Sequence, residues 1–100
     1  RKIIFKQESS AYTLVAADSG KAIEISSGGI TVPVNVFVGG DAITILNDSG
    51  SAQTITQGSS VTIFNSGDGT TGNRTLAGRG MATIYFVNSS TCYISGAGLS

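Results

Sequence analysis

The chain has no histidine and no tryptophan, a single cysteine, proline and methionine, and only 12% charged residues in 100. Each shortage excludes something. Without histidine there is no His-based triad and no imidazole metal ligand. One cysteine, Cys92, permits neither an intrachain disulfide nor a cysteine-based zinc site. Set between Thr91 and Tyr93 in a strand-like run, with no base beside it to lower its pKa, Cys92 reads as a small buried hydrophobe. The six basic and six acidic residues cancel. A chain with no net charge has no long-range pull toward nucleic acid or anionic lipid, and little repulsion between its own copies. No apolar run approaches the roughly 20 residues that span a bilayer as a helix, so no membrane insertion is expected. No signal peptide is visible, and Arg1 in place of Met is compatible with processing or excision from a longer protein.

What is present is 40% hydrophobic residues, 14 glycines, and a quarter of the chain as Ser or Thr. Short β-branched segments recur between Gly, Ser, Asn and Asp clusters, the pattern of many short strands joined by tight turns. The expected fold is all-β, a small β-sandwich, jelly roll or barrel of about eight to ten short strands. Residues 1–10 form a connector or first strand, and 11–100 a single all-β domain. Candidate strands are Lys2–Lys6, Tyr12–Ala16, Lys21–Ser26, Ala42–Leu46, Ala52–Gln57, Ser60–Asn65, Asn73–Leu76, and a closing hairpin of Met81–Asn88 with Thr91–Ser95 across Ser89-Ser90. Ile30, Val32, Val34 and Val36 share one face, and Pro33 among them marks an edge strand or its start. Alternation places Ile43, Ile45, Ile55, Ile63, Ile84 and Phe86 inside. Thr-Ile pairs at 44–45, 54–55 and 62–63 hint at a repeat. Their spacing also suits ordinary hairpins, the reading preferred over a β-solenoid.

A search for chemistry finds little. Glu8, Asp18, Glu24, Asp41, Asp48 and Asp68 are scattered and fall mostly in turns, where acids bond nearby backbone amides. Asn65-Ser66-Gly67-Asp68-Gly69 lacks the ligand series and closing Glu of a calcium loop. Gly67–Gly72 matches G-x-G-x-x-G by letter but precedes no long helix, which excludes dinucleotide binding. The sequons at Asn47, Asn73 and Asn88 read as turns. Arg74 and Arg79 suit a salt bridge better than phosphate recognition. Tyr12, Tyr85 and Tyr93 are expected to be buried at strand positions rather than stacked on a sugar. No catalytic residue, cofactor or metal is assigned. The Gly-rich stretch Ser66–Gly72 is the expected mobile loop, and Asp68, Thr70 and Asn73 are its candidate receptor-contact residues, with the turn Asn47–Ser51 as a second candidate.

Several segments in order resemble a module of bacteriophage tail-fibre and related virion proteins. They are Tyr12-Thr13-Leu14-Val15 with Asp18-Ser19-Gly20-Lys21, Ile30-Thr31-Val32-Pro33, Phe37-Val38-Gly39-Gly40-Asp41 with Ala42–Leu46, and Thr54-Ile55-Thr56-Gln57. Gly72–Ala77, Gly80-Met81-Ala82-Thr83 and the ending Tyr93–Leu99 complete the set. Tyr93 stands where related modules often carry Trp. The resemblance runs from about Tyr12 to the end and implies a virion location, assembly with copies of itself as a homotrimer, contact with other virion proteins, and no catalytic residues. Three functions follow from it: a self-assembling tail-fibre or appendage module, a capsid decoration or head-fibre protein, and a tip that binds a receptor or host surface glycan. A depolymerase fragment ranks last.

Overall fold

The computed structural model describes residues 3–100; Arg1 and Lys2, part of the first candidate strand, lie outside the described residues. Nine strands form one nearly closed, barrel-like sheet: β1 (Phe5–Glu8), β2 (Tyr12–Thr13), β3 (Ala22–Ile25), β4 (Ile30–Val32), β5 (Ala42–Asn47), β6 (Gln53–Gln57), β7 (Thr62–Asn65), β8 (Arg74–Asn88) and β9 (Thr91–Leu99). Among the described residues one 3-10 turn, Ala16–Asp18, interrupts them. The chain is all-β, with a strand count inside the expected range.

Pairing departs from the hairpin expectation. β1, β3 and β5 form one parallel ladder, and β2, β4 and β6 form another. The chain therefore winds as a coil, laying one strand in each ladder per turn. Thr44 and Thr54 belong to different ladders and never face each other. Spacing alone cannot separate these arrangements, because a hairpin and a short coil place turn residues at similar intervals. β8 then joins the two ladders. Its Met81–Tyr85 half runs antiparallel to β5, and its Arg74–Leu76 end runs antiparallel to β6. The expected closing hairpin is present as β8–β9, with Asn88 opposite Thr91, and β7 runs parallel to β9 on its far side. Asn88 shapes that hairpin, its Oδ1 accepting the Ser90 backbone N–H at 2.9 Å.

β4 is flanked by β2 and β6, so it is an interior strand and not the edge that Pro33 implied. It ends at Val32, before the proline removes a ladder donor. Asn35, at φ 60°, then turns the chain away from the ladder. The other unexpected feature is the length of β8, two candidate strands fused through Ala77–Gly80. The register with β9 shifts between Leu76 and Met81, and Arg79 sits at φ 64°. This is the signature of a bulge that bends a strand without ending it.

Register rows build the core. Ile23, Ile45 and Ala82 face inward side by side, as do Ile43, Ile84 and Ile94, and Phe86, Cys92 and Ile63. All are buried, including each of the six core positions expected from alternation. Phe37 reaches in from a loop to pack on Phe86, with ring centres 4.7 Å apart. Gly96 opposes Ala82 at the point of closest approach, where a β-carbon would collide with the backbone of Met81.

Candidate functional site

The expected contact loop is fastened from within rather than slack. Asp68 accepts the Thr70 backbone N–H at 2.9 Å, the Thr70 hydroxyl at 2.8 Å and the Asn65 amide at 3.1 Å. These donors, the Thr70 backbone first, hold its carboxyl below the usual carboxylate range. Arg74 donates to the Thr70 hydroxyl at 3.0 Å and to the Asn73 carbonyl at 2.9 Å. The Asn73 side-chain oxygen accepts the Gln57 N–H at 2.7 Å. The fold thus gathers Asp68, Thr70 and Asn73 into one exposed loop, with much of their bonding capacity turned inward.

The turn at Asn47–Ser51 has a structural duty that the sequence did not show. Asn47 is fully buried, and its amide donates to the carbonyls of Ser51 (2.8 Å), Leu76 (3.0 Å) and Ala77 (3.1 Å). Those last two carbonyls lie where β8 bends. Asn47 donates to both and so ties the turn to β8 where its register with β9 shifts. Outside it, Arg79 pairs with Asp48 at 3.1 Å, an exposed salt bridge of the expected kind.

Sequence reading also missed a three-residue network. Asp18 is buried, with Lys6 Nζ 3.0 Å from its Oδ1. Tyr12 donates its hydroxyl to Asp18 Oδ2 at 2.6 Å and accepts from Lys6 at 2.7 Å, and the Val15 N–H reaches Oδ2 at 2.9 Å. Burial opposes ionisation of Asp18, but hydrogen bonds from Tyr12, Val15 and Lys6 together outweigh it and lower its pKa. Burial first, then the bond to Asp18, raises Tyr12; the bonds to Tyr12 and Asp18 raise Lys6. The network ties β1 and β2 to the 3-10 turn. The three residues come from separate segments, and no local spacing signals their meeting. An open cleft of about 310 Å³ beside β1 is lined by Gln7, Glu8, Ser9, Glu24, Ser26 and Asp48. Among the described residues, no three acids or cysteines converge on a metal-sized site, and no helix is long and apolar enough to cross a membrane.

The outward face of the sheet is the largest correction. Tyr85 and Tyr93 are not buried; they are 50% and 42% exposed. They pair directly across β8–β9, and Phe64 on β7 extends the row, its ring stacked on Tyr93 at 5.0 Å. A second outward row runs Phe5, Ala22, Thr44, Thr83, Ser95 across five strands. A third runs Gln7, Glu24, Leu46, Met81, Ala97. Glu24 is the one charged residue in these rows. From Gly80 to Ser100 there is no Lys, Arg, Asp or Glu, so β9 and the Met81–Asn88 part of β8 show solvent an uncharged, partly aromatic surface. Alternation explains why inside and outside were confused here: with Tyr and Val on one face and Ile and Phe on the other, β8 reads as apolar on both sides.

No protein-family model matches the chain, and a search of curated proteins finds no match.

Proposed function

We propose that the chain is a structural module of a bacteriophage virion, of a tail fibre or similar surface appendage, that assembles with copies of itself. The virion location comes from the sequence resemblance. The observation that carries the assembly reading is the uncharged closing hairpin, with Met81, Tyr85, Val87 and Tyr93 all at least 42% exposed. Exposed Tyr and Met without charge are what an interface core is made of, and a contiguous apolar patch on a soluble domain marks a contact surface. The acids support a scaffolding role as well: Asp18, Asp41, Asp48 and Asp68 each fasten a turn, a loop or a strand.

Gold-labelled antibody against the domain, applied to particles of the encoding phage, tests the location. Label on tail appendages is expected. Label on the head would move the chain to a capsid decoration or head fibre, and particles without label would overturn the reading. A receptor-binding tip is tested by replacing Asp68, Thr70 and Asn73 together with Ala. Lost adsorption with assembly intact would place host contact in that loop.

A further inference from the structure

We infer that β1 is a docking edge: it takes an extended segment of another protein as one more parallel strand. That segment is apolar where it passes Ile3, Ile4 and Phe5, and carries Lys or Arg where it reaches Glu8 and Glu24. The inference is independent of the assembly reading and concerns a different surface.

Among the described residues, three strands have a neighbour on one side only: β1, β2 and β7. A bare edge presents unpaired N–H and C=O groups, and proteins ordinarily shorten it, cover it or guard it with charge. Two of the three are managed in this way. β2 is only two residues long. β7 is covered by the loop that follows it. Phe64 bridges to Thr71, the Asn65 N–H donates to the Thr70 carbonyl at 2.7 Å, and the Gly72 N–H donates to the Ile63 carbonyl at 3.3 Å. β1 has neither device. The carbonyls of Ile4 and Glu8 accept the Ala22 and Ser26 N–H groups, both at 3.0 Å. Backbone direction alternates along a strand, so Phe5 and Gln7 turn their N–H and C=O away from β3. Lys6, the charge that could guard this edge, is drawn instead to Asp18 at 3.0 Å and Tyr12 at 2.7 Å.

The flanks of the edge select the occupant. Main-chain pairing to an open strand supplies affinity, and side chains beside it supply specificity. At one end Ile3 and Ile4 are each 69% exposed and Phe5 is 58% exposed, an apolar margin for apolar side chains. At the other end β1 meets the open cleft of about 310 Å³ that Glu8, Glu24 and Asp48 help to line. Asp48 is paired with Arg79, whereas Glu8 and Glu24 pair with no cation among the described residues. A strand with Lys or Arg at that end complements them, and an acidic one is repelled. The existing ladder β1, β3, β5 is parallel, and a further strand in the same direction continues it. A copy of β1 laid that way sets Glu8 beside Glu8, so the charge pattern favours a different chain.

The test uses the full chain, isotope-labelled for amide spectra, and two synthetic peptides. Both alternate Val and Thr; one ends in a pair of Lys residues and the other in a pair of Glu residues. The Lys peptide should shift the Phe5 and Gln7 amide signals and slow their exchange, and the Glu peptide should bind at least about tenfold more weakly. Glu8→Gln with Glu24→Gln should weaken the Lys peptide about tenfold and bring the two affinities together. Phe5→Pro removes an outward N–H without touching the β3 ladder, and should abolish binding with the β-type circular dichroism unchanged. The wild-type shifts decide the matter whether or not that variant folds. No shift, shifts confined to Tyr85 and Tyr93, or equal wild-type affinity for both peptides would overturn the inference. So would slow exchange of Phe5 and Gln7 in the free chain that strengthens with protein concentration, which would put a second copy on the edge.

Discussion

Replacing Ile45 with Ala is the most direct probe of how the rows are packed. Ile45 is fully buried between Ile23 and Ala82. Removing three carbons forfeits about 2.4 kcal/mol at about 0.8 kcal/mol for each buried methylene. Its neighbours are ladder-bound on both sides and cannot collapse freely, so the residual cavity adds about 1–2 kcal/mol. The expected loss is about 3.4–4.4 kcal/mol. For a domain of this size that lowers the melting temperature by about 15–30 °C. The assay is thermal unfolding followed by circular dichroism at one fixed protein concentration, because the midpoint of a self-associating protein depends on concentration. Leu46→Ala is the internal control, since the adjacent side chain points to the outer face and is half-buried; its loss should be about 1 kcal/mol. A one-residue slip exchanges the two faces. An Ile45→Ala midpoint within a few degrees of wild type, or a larger loss from Leu46→Ala, would show that the inward rows are misassigned.

Asn47→Ala should cost about 2–3 kcal/mol, because it removes the buried bond to the Leu76 carbonyl and the part-buried ones to Ser51 and Ala77; equal urea midpoints for variant and wild type would contradict the clamp. Gly96→Ala should destabilise the β8–β9 hairpin and speed amide exchange there, since its β-carbon meets the backbone of Met81; unchanged exchange would count against that close approach. The acid limb of stability is set in part by Asp18. Its folded pKa is lowered, so its contribution is present above the unfolded carboxylate value of about 3.9 and is lost as pH falls through the folded pKa. Asp18→Asn should therefore flatten the stability profile below about pH 4, and a profile parallel to wild type would exclude Asp18 as a source. The Cys92 thiol should resist a thiol reagent at mildly alkaline pH in the native protein and react once denatured, with rapid native reaction as the contrary result.

Strand identity and the core were legible in the sequence because they depend on local alternation. Ile43, Ile45, Ile63 and Ile84 have polar or small neighbours on at least one side, and a period of two sends them inward whichever strand they pair with. Partner choice was not legible. Parallel ladders join residues such as Phe5 and Ala22 or Ile30 and Ile55, and nothing in a turn sequence records which strand arrives from a previous coil. The same limit hid the Lys6–Tyr12–Asp18 network and the duty of Asn47, both of which depend on distant backbone. Tyr85 and Tyr93 were misplaced for another reason. Burial of an aromatic is the commoner outcome at a strand position, but the inward places beside them are taken by Ile84, Phe86, Cys92 and Ile94, which leaves Tyr85 and Tyr93 on the outer face. The uncharged stretch from Gly80 to Ser100 was the available signal, and it is informative only once β8 and β9 are known to lie side by side.

The central claim, that this domain exists to assemble with itself, is tested most directly by the mass of the wild-type chain in solution. Light scattering on a sizing column at micromolar concentration should return a multiple of the 10.1 kDa chain mass, and three chains if the fibre resemblance holds. A mass of one chain across that concentration range would contradict the account.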